Sequence, residues 1–424
     1  MAVNATTIAA IATAPGGGIG IVRVSGPGAQ AIARRVVEPW PEVESHRLWR
    51  ARAAGDEVLC VVMCAPASYT GEDVVEIHGH GGAKNLQRVL AAVVAGGAQV
   101  AEPGEFTRRA FLNGRMDLTR AEAVAEVIGA RSERALRVAQ ANLRGALADR
   151  VRALRDRATA LLAELEARVD FPEEQLDFVP AERLREDALA AARDVRALRR
   201  TFRQGRALAS GVTVALVGRP NAGKSSLFNA LLGQERALVA AEPGTTRDYL
   251  EAGVEWDGVE VTLIDTAGER EVAGVEGRGV ELGRARAAEA DVVVRVIDAT
   301  NPVIEDGDVV ALAKCDLIAD AGVAGVRTSA LRGSGLDELR AAVLAAAGVA
   351  LGDEEPEGIL TSERQHAALA EAEEALERTA AATESPELAA LDARIALERL
   401  GRVTGESVDD AVLEAIFARF CIGK

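Results

Sequence analysis

The sequence predicts a multidomain chain of α/β and α class. An N-terminal α+β domain precedes a helical domain, and a nucleotide-binding α/β domain is inserted into the helical one. Three observations predict this. The 424 residues exceed one ordinary domain, because about 150 residues per domain gives two or three. A phosphate-loop string, Gly218 to Ser225, stands between a short apolar run and a helix-like run. Helical texture flanks that region on both sides, and insertion is tolerated when the guest's termini lie close together.

Composition narrows the class further. The chain is 49% apolar and 27% charged, which excludes a disordered or fibrous protein. No apolar run approaches the roughly 18 to 20 residues of a membrane span, so no membrane is expected. The formal charge of −16 is unlike that of a general polyanion binder, so contact with nucleic acid would need a local basic patch or a partner. Met1 to Pro15 has no basic stretch ahead of its apolar residues, and no secretory leader is expected. Cys60, Cys64, Cys315 and Cys421 are scattered, with neither zinc-type spacing nor the look of a disulfide framework. The expected location is cytoplasmic.

Residues 1–117 are rich in Gly and Val. Strand-like runs at Ile19 to Val24, Val58 to Met63 and Asp73 to His78 are bounded by turn signals, which gives the mixed α+β domain. The texture changes at Leu118. Thr119 to Glu122 reads as a capping box, and apolar residues from Leu136 through Leu147, Val151, Leu154, Ala158 and Leu161 to Leu165 recur at helical spacing. That stripe implies helical core and no ligand. The first helical part spans 118–206, with an interruption near Phe171 and Pro172. The inserted domain spans 207–353, and the second helical part spans 354–424. There Leu388, Leu391 and Ile395 are helically spaced, and Ser407 with Asp410 caps a last helix.

Val212 to Val217 is an apolar strand, followed by G-x-x-x-x-G-K-S and the helical run Ser226 to Leu232. Glycines at this spacing let the backbone N–H groups of Asn221, Ala222, Gly223, Lys224, Ser225 and Ser226 curl around phosphates, and the helix N-terminus adds partial positive charge. Lys224 neutralises β- and γ-phosphate charge, and the Ser225 hydroxyl ligates Mg2+. A second strand, Val259 to Ile264, ends in Asp265-Thr266-Ala267-Gly268. Asp265 can hold a magnesium-bound water, and the Gly268 N–H can reach a γ-phosphate. Thr245 and Thr246 lie between these motifs, where a threonine can complete the Mg2+ shell in the triphosphate state.

Asp291 to Asp298 reads as a third strand and Val309 to Asp316 as a fourth. This order of strands and motifs resembles the Ras-like P-loop GTPases, whose guanine-reading string is N-K-x-D. Lys314 and Asp316 match it, but Ala313 stands where the family has Asn. The resemblance implies that Asp316 takes two hydrogen bonds from guanine, that the Lys314 stem covers one face of the base, and that Ser329 and Ala330 belong to the last guanine-contacting loop. Without the amide at 313, a looser site is expected. Only ten residues, Ala299 to Asp308, separate the third and fourth runs, whereas a parallel crossover usually needs about a dozen or more. Either a helix is missing or reduced to a turn, or the fourth run is not parallel to the third.

The two ends are more specific. The chain finishes Cys421-Ile422-Gly423-Lys424, and its first part carries Ala14 to Gly20, Tyr69 to Asp73, His78 to Gly82 and Pro103 to Asn113. Together with G-R-P-N-A-G-K-S-S and P-G-T-T-R-D, these strings resemble the MnmE (also TrmE) family of tRNA modification GTPases over essentially the whole chain.

The resemblance implies a GTP-hydrolysing switch that works with an FAD-containing partner, GidA (also MnmG), as a homodimer within a heterotetramer. The pair modifies C5 of the wobble uridine of tRNA, installing an aminomethyl or carboxymethylaminomethyl group. It implies a tetrahydrofolate derivative (5-formyl- or methylene-) as one-carbon donor, in an N-terminal folate-binding and dimerisation domain, with Arg23, Glu76, Arg115 and Lys424 as contacts. It implies that K+ replaces an arginine finger, held by Asn221 and by loop positions Ala240, Glu242 and Thr245, and that Glu276 positions the attacking water, with Glu269 as a rival. Cys421 is either a nucleophile toward C6 of uracil or a small packing residue. The other reading is a regulatory or scaffold GTPase, of ribosome-assembly or septin-like type, that dimerises without tRNA chemistry.

Overall fold

Alternating apolar residues build the N-terminal sheet. The computed structural model describes residues 6–170, 179–233, 250–265, 289–303, 305–350 and 357–424. By internal contacts the chain divides into two units, Met1–Ala125 with Gly401–Lys424, and Glu126–Leu400. In the first unit the elements are β1 (Ile8–Ile11), β2 (Ile19–Ser25), α1 (Ala29–Val36), β3 (Val37–Glu38), β4 (Trp49–Ala53), β5 (Asp56–Met63), β6 (Val74–His80), α2 (Ala83–Ala95), β7 (Gln99–Val100) and α3 (Glu105–Leu112). The sheet order is β3-β4-β5-β6-β2-β1-β7, antiparallel except where β7 runs parallel to β1. Val22, Val24, Val58, Cys60, Val62, Val75 and Ile77 share a core with Ile32 of α1 and Leu86 and Val89 of α2. Their period of two puts Glu76 and Arg23, which are register partners, on the opposite face.

Helices follow: α4 (Leu118–Gly129), α5 (Glu133–Arg144), α6 (Ala146–Asp170), α7 (Ala181–Arg199) and α8 (Phe202–Ser210). The apolar stripe from Leu147 to Leu165 is buried along α6, as its spacing predicts. It does not continue unbroken from Leu136, because Gly145 takes the left-handed conformation and ends α5. The capping box expected at Thr119 is also corrected. Asp117 caps α4, its Oδ1 accepting from Thr119 Oγ1 at 2.5 Å and from Arg120 N at 3.1 Å.

The inserted region contributes β8 (Val212–Val217), α9 (Lys224–Gly233), β9 (Leu250–Trp256), β10 (Val259–Asp265), β11 (Val292–Asp298), β12 (Val309–Ala313), β13 (Val326–Arg327) and α10 (Leu336–Ala346). The sheet order is β13-β12-β11-β8-β10-β9, parallel except for β9. Its continuous Val and Leu runs are what a sheet covered on both faces requires. The core joins Val214, Leu216, Val261, Leu263, Val294 and Val296 to Leu227, Phe228, Leu339 and Val343 of the helices. β9, not foreseen, forms a hairpin with β10 through Asp257 and Gly258, both at positive φ, a turn that the Asp-Gly pair signals.

The fourth run is parallel to the third, with Asp298 opposite Ala313. It stops at Ala313 rather than Asp316, because Lys314 turns left-handed at φ 61° and a 3-10 turn follows, Cys315–Leu317. Among the described residues no helix lies in the crossover. The return run packs along β11 instead: Val293 N donates to Asp308 Oδ2 at 2.8 Å and Arg295 Nε to Asp306 O at 3.0 Å. Ten extended residues reach about 33 Å, enough to go back along a five-residue strand without a helix.

Last come α11 (Glu363–Ala381), α12 (Pro386–Thr404) and α13 (Asp410–Phe417). A capping box stands at Ser362 with Gln365, and Asp409 occupies the N-cap position of α13, correcting the Ser407 expectation.

Candidate functional site

The phosphate loop turns because two glycines admit close approach. At Gly218 a Cβ would lie 2.2 Å from the Val296 carbonyl oxygen, and Gly223 sits at φ 103° with that position facing Ala313. Asn221 is also left-handed, at φ 63°, and its side chain is exposed on the loop rim. Lys224 is buried at the start of α9, its Nζ donating to the carbonyls of Gly218 at 2.8 Å and Arg219 at 2.9 Å. Burial lowers its pKa, and the Asp265 carboxylate at the end of β10 opposes that shift. Ser225 and Ser226 are exposed at the same helix terminus. A buried cation, a glycine cradle that a Cβ would fill and a helix N-terminus thus converge, which suits a nucleotide polyphosphate.

The residues expected to read a base meet on one side of this loop. Gly223, Ser226, Ala313, Lys314, Asp316 and Ala330 line one pocket. Ser329 Oγ donates to Asp316 Oδ1 at 2.7 Å, and this bond holds the Asp316 carboxyl below its usual range. Ala313 itself offers only a methyl group toward the phosphate loop. Lys314 Nζ donates to the Asn221 carbonyl at 2.7 Å and to Asp298 Oδ2 at 2.6 Å, so the two loops are tied through the lysine head. Asp298 is a residue that sequence reasoning missed; its meeting with Lys314 follows from the ladder, which sets it opposite residue 313 at the end of β11. Ala240, Glu242, Thr245, Thr246, Gly268, Glu269 and Glu276 lie outside the described residues.

In the first unit Arg23 Nε donates to Glu76 Oε1 at 2.8 Å, and Arg23 Nη1 donates to the Gly423 carbonyl at 3.3 Å. The Arg23 guanidinium stands 5.5 Å from the Tyr69 ring centroid and 5.6 Å from that of Phe106. Burial pushes the Glu76 carboxyl up, but bonds from His78 and Arg23 outweigh it and leave its pKa lowered. The tail is seated by its backbone: Ile422 bridges to Pro103, and Phe106 N donates to the Lys424 carbonyl at 3.1 Å. Gly423, at φ 95°, is required there, because a Cβ would lie 2.4 Å from the Ile11 carbonyl oxygen. Arg115 is turned toward the Ser68 carbonyl, at 3.1 Å. Cys421 is exposed, whereas burial pushes the Cys60 thiol up to about 12.

The G-K-S loop, the Asp265 strand end and the Lys314–Asp316 pocket on a mainly parallel sheet define a Ras-like P-loop GTPase domain, set between helices and joined to a separate α+β domain. Comparison with known proteins makes the assignment particular. A family model described as the MnmE helical domain matches residues 118–421, and one described as GTP-binding protein TrmE N-terminus matches residues 7–115. The tRNA modification GTPase MnmE of Syntrophotalea carbinolica is 41% identical over 456 residues, covering 100% of each chain. That of Geobacter sulfurreducens is 43% identical, covering 99% of each. Among solved structures, the G domain of the T. maritima FeoB iron transporter is 30% identical over 32% of this chain and 98% of its own, with a TM-score of 0.25. This chain belongs to the MnmE (TrmE) family of tRNA modification GTPases.

Proposed function

We propose that this protein hydrolyses GTP as the switch of a tRNA-modifying system. Working as a homodimer with an FAD-containing partner of the GidA (MnmG) type, it would act at C5 of the wobble uridine, with a tetrahydrofolate derivative as the one-carbon source. The observation that carries the GTPase part is the convergence of the Lys224 cradle and the Asp316 pocket on one loop. Lys224 binds the phosphates. Its ammonium, already partly stripped of water, interacts more strongly with phosphate than a solvated lysine would. Asp316, kept ionised by Ser329, accepts hydrogen bonds from the guanine edge, and the Lys314 stem covers the base.

Ser225 and Thr246 would hold Mg2+, with Asp265 behind them. Asn221, with the carbonyls of Ala240, Glu242 and Thr245, would hold K+. When bound, the two cations supply positive charge against the oxygens of the transferred phosphoryl group. Glu276 would orient the attacking water. In the first unit, the cluster of Arg23, Glu76, Tyr69 and Phe106 combines charged hydrogen-bonding groups with aromatic rings, which suits a folate with its flat heterocycle and carboxylates. Arg115 and Lys424 add positive charge to the same unit. Cys421 is exposed and is either a nucleophile or a packing residue.

The test is GTP turnover in K+ against Na+. K+ should lower the barrier by about 1 to 4 kcal/mol, the scale of one preorganised charge-stabilising group. Asn221→Ala should remove that response and leave GTP binding near normal. Equal rates in the two salts would sink the cation mechanism and leave the GTPase assignment standing.

A further inference from the structure

Two loops must be held in register for the pocket to read a base while the phosphate loop holds phosphates. One ends at Ala313, the other carries Asn221 and Gly223. Ala313 faces the phosphate loop directly: a Cβ on Gly223 would lie 3.3 Å from the Ala313 methyl. A methyl group makes no hydrogen bond, so residue 313 cannot supply the junction. The contact is made one residue on, where the Lys314 head lies between the Asn221 carbonyl at 2.7 Å and Asp298 Oδ2 at 2.6 Å.

Asp298 is itself oriented. Its other oxygen, Oδ1, accepts from Thr300 N at 2.9 Å and from Thr300 Oγ1 at 2.6 Å. The carboxylate stands at the end of β11 opposite Ala313 in the ladder, so a rigid strand supports it. Burial raises the Asp298 pKa, but hydrogen bonds from Lys314 and Thr300 outweigh this and leave it lowered, so the ion pair persists through neutral pH.

We propose that Asp298 is a positioning residue for guanine recognition, pinning the Lys314 ammonium to the phosphate loop and thereby taking over the junction that Ala313 cannot form. With the head fixed at both ends, the lysine stem is held as a wall of the pocket beside Asp316. Without Asp298 the stem would be free to leave the base, and release of the nucleotide would quicken while the phosphate contacts of Lys224 stayed in place. This inference rests on the guanine-nucleotide reading above.

The test is the release rate of fluorescently labelled GDP from the full chain, followed by stopped flow. Asp298→Asn should speed release about threefold to tenfold, the range of a hydrogen-bonded ion pair at a partly exposed site. Lys314→Met should do the same. The double variant should release no faster than Lys314→Met alone, because both changes remove one strut. Adding Ala313→Asn to Asp298→Asn should slow release again, since an amide at 313 can reach the phosphate loop. Thr300→Val, which leaves the carboxylate in place, should quicken release by less than Asp298→Asn, and it serves should Asp298→Asn fold poorly. Wild-type release in Asp298→Asn, or effects that multiply in the double variant, would overturn the inference. A wild-type chain that binds no GDP would overturn the guanine reading with it.

Discussion

At Asp316 a single neighbour, Ser329, does most to set the charge of a carboxylate. Asp316→Asn should weaken GDP binding about tenfold or more, the value of a hydrogen bond to a charged group, and should favour xanthine nucleotides, whose C2 carbonyl accepts from the new amide where guanine's C2 amino group donates. Competition titration with GDP and XDP measures both; unchanged GDP affinity would mean that this loop does not read the base. Because Ser329 holds the Asp316 pKa down, the carboxylate is charged above that lowered value, and its share of binding is lost only as pH falls through it. Ser329→Ala should therefore move the acid limb of GDP binding upward. That Lys224, Lys314 and Asp316 gather about one loop was legible in the sequence, because each belongs to a motif of fixed spacing at a strand end. Asp298 was not, because its partner lies across a strand ladder and sequence spacing says nothing about it.

Among elements, the crossover between β11 and β12 departs furthest from expectation for a parallel pair. Glu305 binds Arg219 of the phosphate loop at 3.0 Å and Arg295 of β11 at 3.1 Å, so side chains of the return run anchor it where a helix would otherwise pack. Gly307 lets the run lie close, since a Cβ there would meet the Arg295 Cβ at 2.9 Å. Gly307→Val should lower the unfolding free energy of this unit by about 1 to 3 kcal/mol, the usual cost of overpacking. Urea titration reads the change, and an unaltered midpoint would show that the run is not seated against β11. Strand positions were legible from their Val and Leu runs, and the shortened connection from counting residues. The helix starts were less legible. Asp117 rather than Thr119 caps α4, because several neighbouring polar residues can satisfy the same orphan amides and packing selects among them.

At the scale of the whole molecule, the last residues fold into the first unit with residues that precede them by some four hundred positions. Gly423→Val would force a Cβ against the Ile11 carbonyl and unseat the tail from Arg23. Titration calorimetry should then show weakened binding of 5-formyltetrahydrofolate, while GDP binding by the other unit stays at its wild-type level. Unchanged folate affinity would separate the tail from that site; loss of both activities would mean a general folding defect. The sequence alone determined the phosphate loop, the strand runs, the helical flanks and the family, since local spacing and chain order suffice for each. The tertiary structure decided which groups become partners: Arg23 with Glu76 and the Gly423 carbonyl, Lys314 with Asp298, Glu305 with two arginines. Those pairings depend on strand register and on close backbone approach, which are properties of the packed chain and have no local signature in the order of its residues.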